Sequence, residues 1–289
     1  MFLAKYGTVI CMIDPEDGLP IADDVHDWAL EKHQRLEKYV DITRKTRAKF
    51  TDPSRPMHYR GGTTYIDLFC GPGRAKVIET GRIVDGSPLV AFKSAKAGDE
   101  PYSEMHLADV DPAYSAAAIK RISKLGGNSF GYTGRAENTV KEIVGRLNPN
   151  GLHFAFLDPY NLANLSFETI RSLAKVKRID LLMHVSVQDL QRNSDRYTSE
   201  EYKTFDLFAP GWRNAVDLNQ GLKSIRAGVL VHWKSLVQGL GFLDMRSMEL
   251  ITGTKKQRLY WLAFVSRHKI ANDFWDKIRN ISGQREFGL

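Results

Sequence analysis

The 289-residue sequence predicts an α/β protein: a doubly wound, mostly parallel sheet with a C-terminal antiparallel hairpin and an N-terminal helical extension. Three observations lead there. Between residues 63 and 187, short runs rich in β-branched and aromatic residues alternate with amphipathic stretches, the pattern of successive strand–helix units. The first of these strands runs into two glycines one residue apart, in "TYIDLFCGPGRA". Near the end, the polar "GTKKQ" separates two further strand-like runs, as a hairpin requires.

Taken in order, Val25, Trp28, Ala29, Leu36, Tyr39 and Val40 recur at helical spacing and predict a helix over 24–45 that packs on the main domain. The Pro and Gly of "FTDPSRPMHYRGG" then mark a linker. Strands are expected at 63–69, 105–109, 129–132, 153–157 and 180–187, with helices at 87–97, 112–125, 136–147 and 166–176. The first of these helices reads as capped by Ser87, with Pro88 at its first position. Residues 188–228 form an insertion in the place where substrate recognition is expected, and 243–252 and 258–266 form the hairpin. The division that follows is an N-terminal helical extension and linker over 1–60 and a Rossmann-like domain over 61–289.

Composition excludes several classes. With 43% hydrophobic and 26% charged residues the chain is of ordinary globular make-up, and no apolar run approaches the roughly 20 residues that cross a bilayer. Residues 1–13 lack the long apolar core of a leader, so a cytoplasmic location without membrane association is expected. Cys11 and Cys70 supply neither a disulfide framework nor a thiolate cage, no histidines stand at close helical ligand spacing, and no metal is expected. The 41 Lys+Arg against 34 Asp+Glu favour polyanions weakly, and the excess is uneven. Between Lys38 and Arg60 stand seven cations against Asp41 and Asp52, which makes Arg44, Lys45 and Arg47 candidates for nucleic-acid phosphates; a solvated helix end is the competing reading.

The glycine turn stands at the carboxyl end of the first strand, where open parallel sheets bind ligands. "GPGRA" lacks the Gly-Lys-Ser/Thr of a P-loop, and it lacks the third glycine and immediate helix of a dinucleotide fingerprint. After the second strand, "LADVDPAY" puts Asp109 where a carboxylate can accept two hydrogen bonds from a ribose diol, or where it can cap the next helix. An acid there with glycines after strand one resembles the adenosine-binding layout of Rossmann-type methyltransferases. On that layout Phe69, Gly71 and Gly73 let the backbone approach S-adenosylmethionine, Asp67 orients its ammonium group, and Arg135 and Ala136 of "YTGRAEN" stand at the adenine step, which usually carries an acid.

Strand four ends in "HFAFLDPYNL", which delivers Asp158, Pro159 and Tyr160 to the same sheet edge. Amino-directed methyltransferases carry a similar turn with two prolines. In that chemistry the acid and a turn carbonyl accept from a target NH2 while the ring stacks on the base. A surface tyrosine on a plain turn is the alternative. Cytosine carbon methylation lacks its nucleophilic cysteine here, and a nuclease would lack a metal-binding acid cluster. The insertion's aromatics, Tyr197, Tyr202, Phe205, Phe208 and Trp212, either stack bases or pack a small helix.

The ordered set "DWALEKHQRLEKYV", "YIDLFCGPGR", "ETGRIVDGSPLVAF", "AFLDPYNL" and "LYWLAFVSRH" resembles the three-Cys-motif partner family. That resemblance implies a methyltransferase-like Rossmann fold and a neighbouring-gene partner carrying three cysteines. Two functions are therefore expected: methyl transfer from S-adenosylmethionine to a nitrogen of nucleic acid or a nucleotide-like acceptor, or a non-catalytic cofactor-binding scaffold for the three-cysteine protein.

Overall fold

The computed structural model describes residues 12–27, 29–243, 245, 248–252 and 257–279; Cys11, Trp28 and residues 253–256 of the expected hairpin turn lie outside the described residues. β1 (Met12–Ile13) and β2 (Pro20–Val25) precede α1 (Ala29–Ile42) and α2 (Arg44–Thr51). Next come β3 (Thr63–Asp67), β4 (Arg74–Val77), β5 (Ile83–Asp85), α3 (Ser87–Ala97), β6 (Glu104–Asp109), α4 (Pro112–Lys124) and β7 (Ser129–Thr133). They are followed by α5 (Ala136–Arg146), β8 (Leu152–Leu157), α6 (Phe167–Leu173), β9 (Ile179–Ser186), α7 (Val187–Thr198) and α8 (Thr204–Phe208). The chain continues through α9 (Trp212–Ala215), α10 (Leu222–Gln238), β10 (Met248–Thr252), β11 (Arg258–Val265) and α11 (Lys269–Arg279).

Seven strands form the main sheet in the order β10-β11-β9-β8-β3-β6-β7. β11 runs antiparallel to both of its neighbours, and the other pairs are parallel. From β3 the chain order runs outward through β6 and β7 on one side and through β8 and β9 on the other, where the β10–β11 hairpin completes the edge, and this leaves a crevice beside the carboxyl end of β3. This is the α/β, mostly parallel methyltransferase-type arrangement.

Alternating side chains of the strands feed two cores. Ile66, Ala108, Ala155, Leu157, Leu181 and Met183 face α5, α6, α7 and α10, whereas Tyr65, Leu107, Phe154, Phe156 and Leu182 face α1, α3, α4 and α11. The sheet is thus buried on both faces, which is why its inner strands read as continuous apolar runs. No helix of the described residues is long and apolar enough to cross a membrane.

Three local readings change. The first helix begins at Ala29 rather than near residue 24, because residues 20–25 pair as a strand with β1 and β4, Val25 opposite Val77. The resulting sheet, β1-β2-β4-β5, was not legible in segments so short, and its hairpin β4–β5 springs directly from the glycine turn. The N-cap of α3 is Gly86, and the Ser87 hydroxyl turns away to donate to Asp67 at 2.6 Å. The insertion consists of α7, α8 and α9 joined by short turns, with residues 222–228 already part of α10.

Candidate functional site

The segments following β3, β6, β7, β8 and β9 line a cleft of about 1320 Å³, roofed by β2, the β4–β5 turn and the start of α1. Its first half is built on backbone. Gly71 turns the chain at φ +53°, a conformation open to glycine at little steric cost, and a Cβ there would meet nothing within 4 Å. The Gly71 N–H donates to Asp109 Oδ2 at 3.0 Å, and the Asp111 N–H donates to Oδ1 at 3.0 Å. Each carboxylate oxygen keeps further accepting capacity. Burial pushes the Asp109 carboxyl above its usual value, with the Asp111 and Gly71 N–H groups working the other way.

Capping of α4 falls to Asp111, which accepts from the Ala113 N–H at 2.8 Å, so Asp109 is left lining the cleft. Phe69, Pro72, Tyr114, Arg135, Ala136 and Glu137 line the same half. Arg135 Nε pairs with Glu137 Oε1, two residues on in "YTGRAEN", at 2.5 Å, so a cation and an acid stand together at this step.

Two expected cofactor residues are placed otherwise. Asp67 is fully buried beneath the turn, where it accepts from Ser87 Oγ at 2.6 Å, Tyr65 OH at 3.0 Å and the Phe69 N–H at 3.1 Å. Burial pushes its carboxyl up to about 7 despite these donors, so it organises the turn rather than facing a ligand's ammonium group. Gly73 (φ +86°) packs on α4: a Cβ there would stand 3.4 Å from Ala118 Cα. Its smallness serves helix packing, and it is not among the residues that line the cleft.

The second half is built on side chains from distant elements. Asp158, at the end of β8, is ion-paired through Oδ2 with Lys32 of α1, and its Oδ1 lies 3.0 Å from His184 Nδ1 of β9. Burial opposes its charge, but Lys32 and His184 outweigh burial and hold the carboxyl well below the usual carboxylate range. Burial in turn holds the His184 imidazole below its usual value against the pull of Asp158, and its ring packs edge-on to Tyr260 at 4.4 Å. Asp158, expected to accept from a target NH2, thus stands with Lys32 at one oxygen and the His184 ring at the other. Tyr160 is 84% exposed at the cleft mouth, with Pro159 buried beside it. The following loop is tied down by Asp189 of α7, whose Oδ2 accepts the Leu162 N–H at 2.9 Å while Tyr197 OH donates to the same carboxylate.

Lys32 and His184 were missed for different reasons. Lys32, Arg35 and Tyr39 share one face of α1 and all reach buried acids: Asp158, Glu249 (Arg35 Nη2 to Oε1, 2.6 Å) and Asp180 (Tyr39 OH to Oδ2, 2.6 Å). A scan for apolar periodicity passes over charges on that face. His184 carried a signal, a lone imidazole in the apolar run "IDLLMHVS".

The roof is fastened by two arginines, buried Arg121 and half-buried Arg74. Arg121 of α4 donates to both Asp17 oxygens at 2.7 and 2.9 Å and to the Pro72 carbonyl at 2.6 Å, and Arg74 pairs with Asp14 at 2.7 Å. Hydrogen bonding from Arg121 lowers the Asp17 carboxyl. At the far side Glu79 of the β4–β5 turn meets His26 Nδ1 at 2.7 Å and accepts the Asp27 N–H at 3.0 Å. The glycine turn is thereby clamped between α4 and the N-terminal strands.

The basic segment does not reach this cleft. Arg47 is buried, donating to the carbonyls of Glu100 (3.1 Å) and Val40 (2.5 Å) and to Thr43 Oγ1 (2.9 Å), so it is a structural residue rather than a phosphate contact. Arg44 pairs with Asp41 at 3.3 Å and Lys45 is exposed, and neither lines the cleft. Four of the insertion's aromatics pack inward instead of presenting faces to bases: Tyr197–Phe205, Phe205–Trp212 and Phe208–Trp233 stand at 5.4, 5.3 and 5.0 Å, while half-buried Tyr202 lies against the Arg196 guanidinium at 4.5 Å. Cys70 is buried in the turn, where burial raises its thiol. No group of three or more His, Cys, Asp or Glu among the described residues is arranged to hold a metal ion.

No family model matches this chain, and no curated protein matches it in sequence. Among solved structures, it is similar to Trm1 from Pyrococcus horikoshii in complex with S-adenosyl-L-methionine (12% identity, 88% of this chain and 58% of that one, TM-score 0.47). It is also similar to the O-methyltransferase from Bacillus cereus in complex with SAH (13% identity, 84% and 83%, TM-score 0.45). A third is protein LPL1258 from Legionella pneumophila (9% identity, 86% and 91%, TM-score 0.47). The strand order, with its one reversed strand beside β9, assigns the methyltransferase-type Rossmann fold independently of these likenesses.

Proposed function

We propose that the chain binds S-adenosylmethionine in the first half of the cleft and transfers its methyl group to a nitrogen of nucleic acid or a nucleotide-like acceptor in the second. The observation that carries this reading is the 3.0 Å bond from the Gly71 N–H to Asp109, which holds that carboxylate beside an open glycine turn. The bound cofactor would supply an electrophilic methyl group on a sulfonium. Asp109 would accept from the ribose hydroxyls, and the Phe69–Gly71 backbone would flank the amino-acid part. The acceptor would enter past Tyr160, whose exposed ring offers a stacking surface. Asp158, kept ionised by Lys32, would hold the acceptor's N–H and stabilise the positive charge that develops as nitrogen attacks carbon. The rest of the rate enhancement would come from alignment.

The motif order set out above supports a three-cysteine-motif protein as partner. The engagement of both Asp158 oxygens favours a second reading, a scaffold that presents cofactor to that partner without reacting. A labelled-methyl assay against DNA, RNA and nucleotides, with and without the partner, separates the two. The catalytic reading expects turnover that Asp158→Ala abolishes while cofactor affinity stays within about threefold. No transfer under any condition, with cofactor and partner both bound, selects the scaffold.

A further inference from the structure

A second cavity, of about 330 Å³, opens at the opposite edge of the sheet, where β8 and β9 begin. Its walls are aromatic: Tyr39, Phe50, Tyr59, Tyr102, Phe154 and Phe274. Among the described residues four cations line it, Arg47, Lys49, Arg55 and Arg178, against one carboxylate, that of Asp180. That carboxylate is already engaged by the Tyr39 hydroxyl at 2.6 Å. The Arg178 guanidinium stands 5.5 Å from the ring centres of both Phe50 and Tyr59, and the His58 carbonyl fixes it at 2.9 Å. Lys49 and Arg55 are exposed, and Arg55 Nε stands 3.8 Å from Asp52 Oδ2. In the same wall, Nδ1 of buried His153 has no hydrogen-bond partner among the described residues.

Volume, wall and charge point to one ligand chemistry. A space of this size lies at the lower end for small-molecule sites, room for one ring system and its substituent rather than a polynucleotide track. Aromatic walls favour a flat π-face, and a cationic rim favours an anion. We propose that this cavity binds a small flat aromatic molecule carrying one anionic group, its ring between the aromatic walls and its anion at Lys49 and Arg55. The basic segment between Lys38 and Arg60, which has no role in the cleft, thereby gains one. The site is independent of the methyl-transfer reading.

The test is a heteronuclear NMR titration of the full chain in excess S-adenosylhomocysteine, with 4-hydroxybenzoate and guanosine 5′-monophosphate as probes and 4-hydroxybenzyl alcohol and guanosine as their neutral counterparts. The proposal expects saturable shifts around Ala271 and Arg178 with at least one anionic probe, and affinity weaker by about tenfold for its neutral counterpart. Whichever anion binds tighter identifies an aromatic carboxylate or a nucleotide as the source of the chemistry. Lys49→Gln with Arg55→Gln, both at exposed positions, should lower the anion's affinity about fivefold or more and leave the neutral compound unchanged. Ala271→Leu should fill the cavity and remove binding. If that variant fails to fold, the rim pair decides alone. Absence of shifts with both anions, or shifts untouched by the rim substitutions, overturns the proposal.

Discussion

The two halves of the cleft hold their carboxylates by opposite means. Asp109 is held by N–H groups of Gly71 and Asp111, residues of its own turn and of the glycine turn beside it. Asp158 is held by side chains that arrive from α1 and β9. A backbone donor is neutral, so Asp109 keeps a raised carboxyl and spare lone pairs for a ligand's hydroxyls. A side-chain cation settles the charge of Asp158 and ties the site to the docking of the N-terminal helix. The first half is a binding surface that local sequence can build. The second depends on the whole fold being assembled.

The largest effect is expected where that contrast is sharpest. Lys32→Met leaves a mostly buried carboxylate without its cation and should destabilise the fold by about 3–5 kcal/mol at neutral pH, read by denaturant melts. Because pairing lowers the Asp158 carboxyl, its stabilisation is present above the usual carboxylate value and lost as pH falls through the lowered one. The cost of Lys32→Met should therefore shrink in strong acid, and Lys32→Met with Asp158→Leu should recover most of it. A cost below about 0.5 kcal/mol would mean that the pair behaves as a solvated one.

Asp67 makes the opposite pH prediction. Its carboxyl is raised to about 7 by burial, so the unfolded chain ionises first and stability falls as pH rises from the usual carboxylate value to about 7. Asp67→Asn keeps the shape and removes the titration. Relative to wild type, the variant should gain on the order of 4 kcal/mol between pH 4 and pH 8. A difference that is flat with pH would show that Asp67 is not held neutral. The smallest stability change is expected at exposed Tyr160: Tyr160→Ala should alter melting by less than about 0.5 kcal/mol, yet weaken acceptor binding by about 1–3 kcal/mol if a base stacks there. Equal acceptor affinity for both forms would remove the stacking role.

What was legible in the sequence follows the same division. The strand–helix alternation, the glycine turn and the acid after the second strand are set by residues near one another in the chain, and each lies where its spacing placed it. The small sheet was not legible, because β1 and β5 are two and three residues long and depend on pairing across the fold. Arg47 read as a surface cation because its neighbours in sequence are charged; its partners are carbonyls that the turn of α1 into α2 and the loop at Glu100 bring around it. Gly73 and Asp67 sit in the right motif with different duties, since a turn that must pack on α4 needs a small residue and a buried acceptor beneath it. Lys32 illustrates the general limit: nothing in a helix's own pattern says that a charge on its inner face has a carboxylate to meet.

The account's central claim is that Asp109 and the Gly71 turn form an S-adenosylmethionine site. Calorimetric titration of the cofactor into wild-type protein and Asp109→Ala, with melts recorded for both, tests it most directly. The account predicts saturable binding to wild type and a loss of about 1.5–3 kcal/mol in the variant, the range for hydrogen bonds to a charged group. No heat and no thermal shift with wild type at millimolar cofactor, or equal affinity in a folded Asp109→Ala, would contradict it.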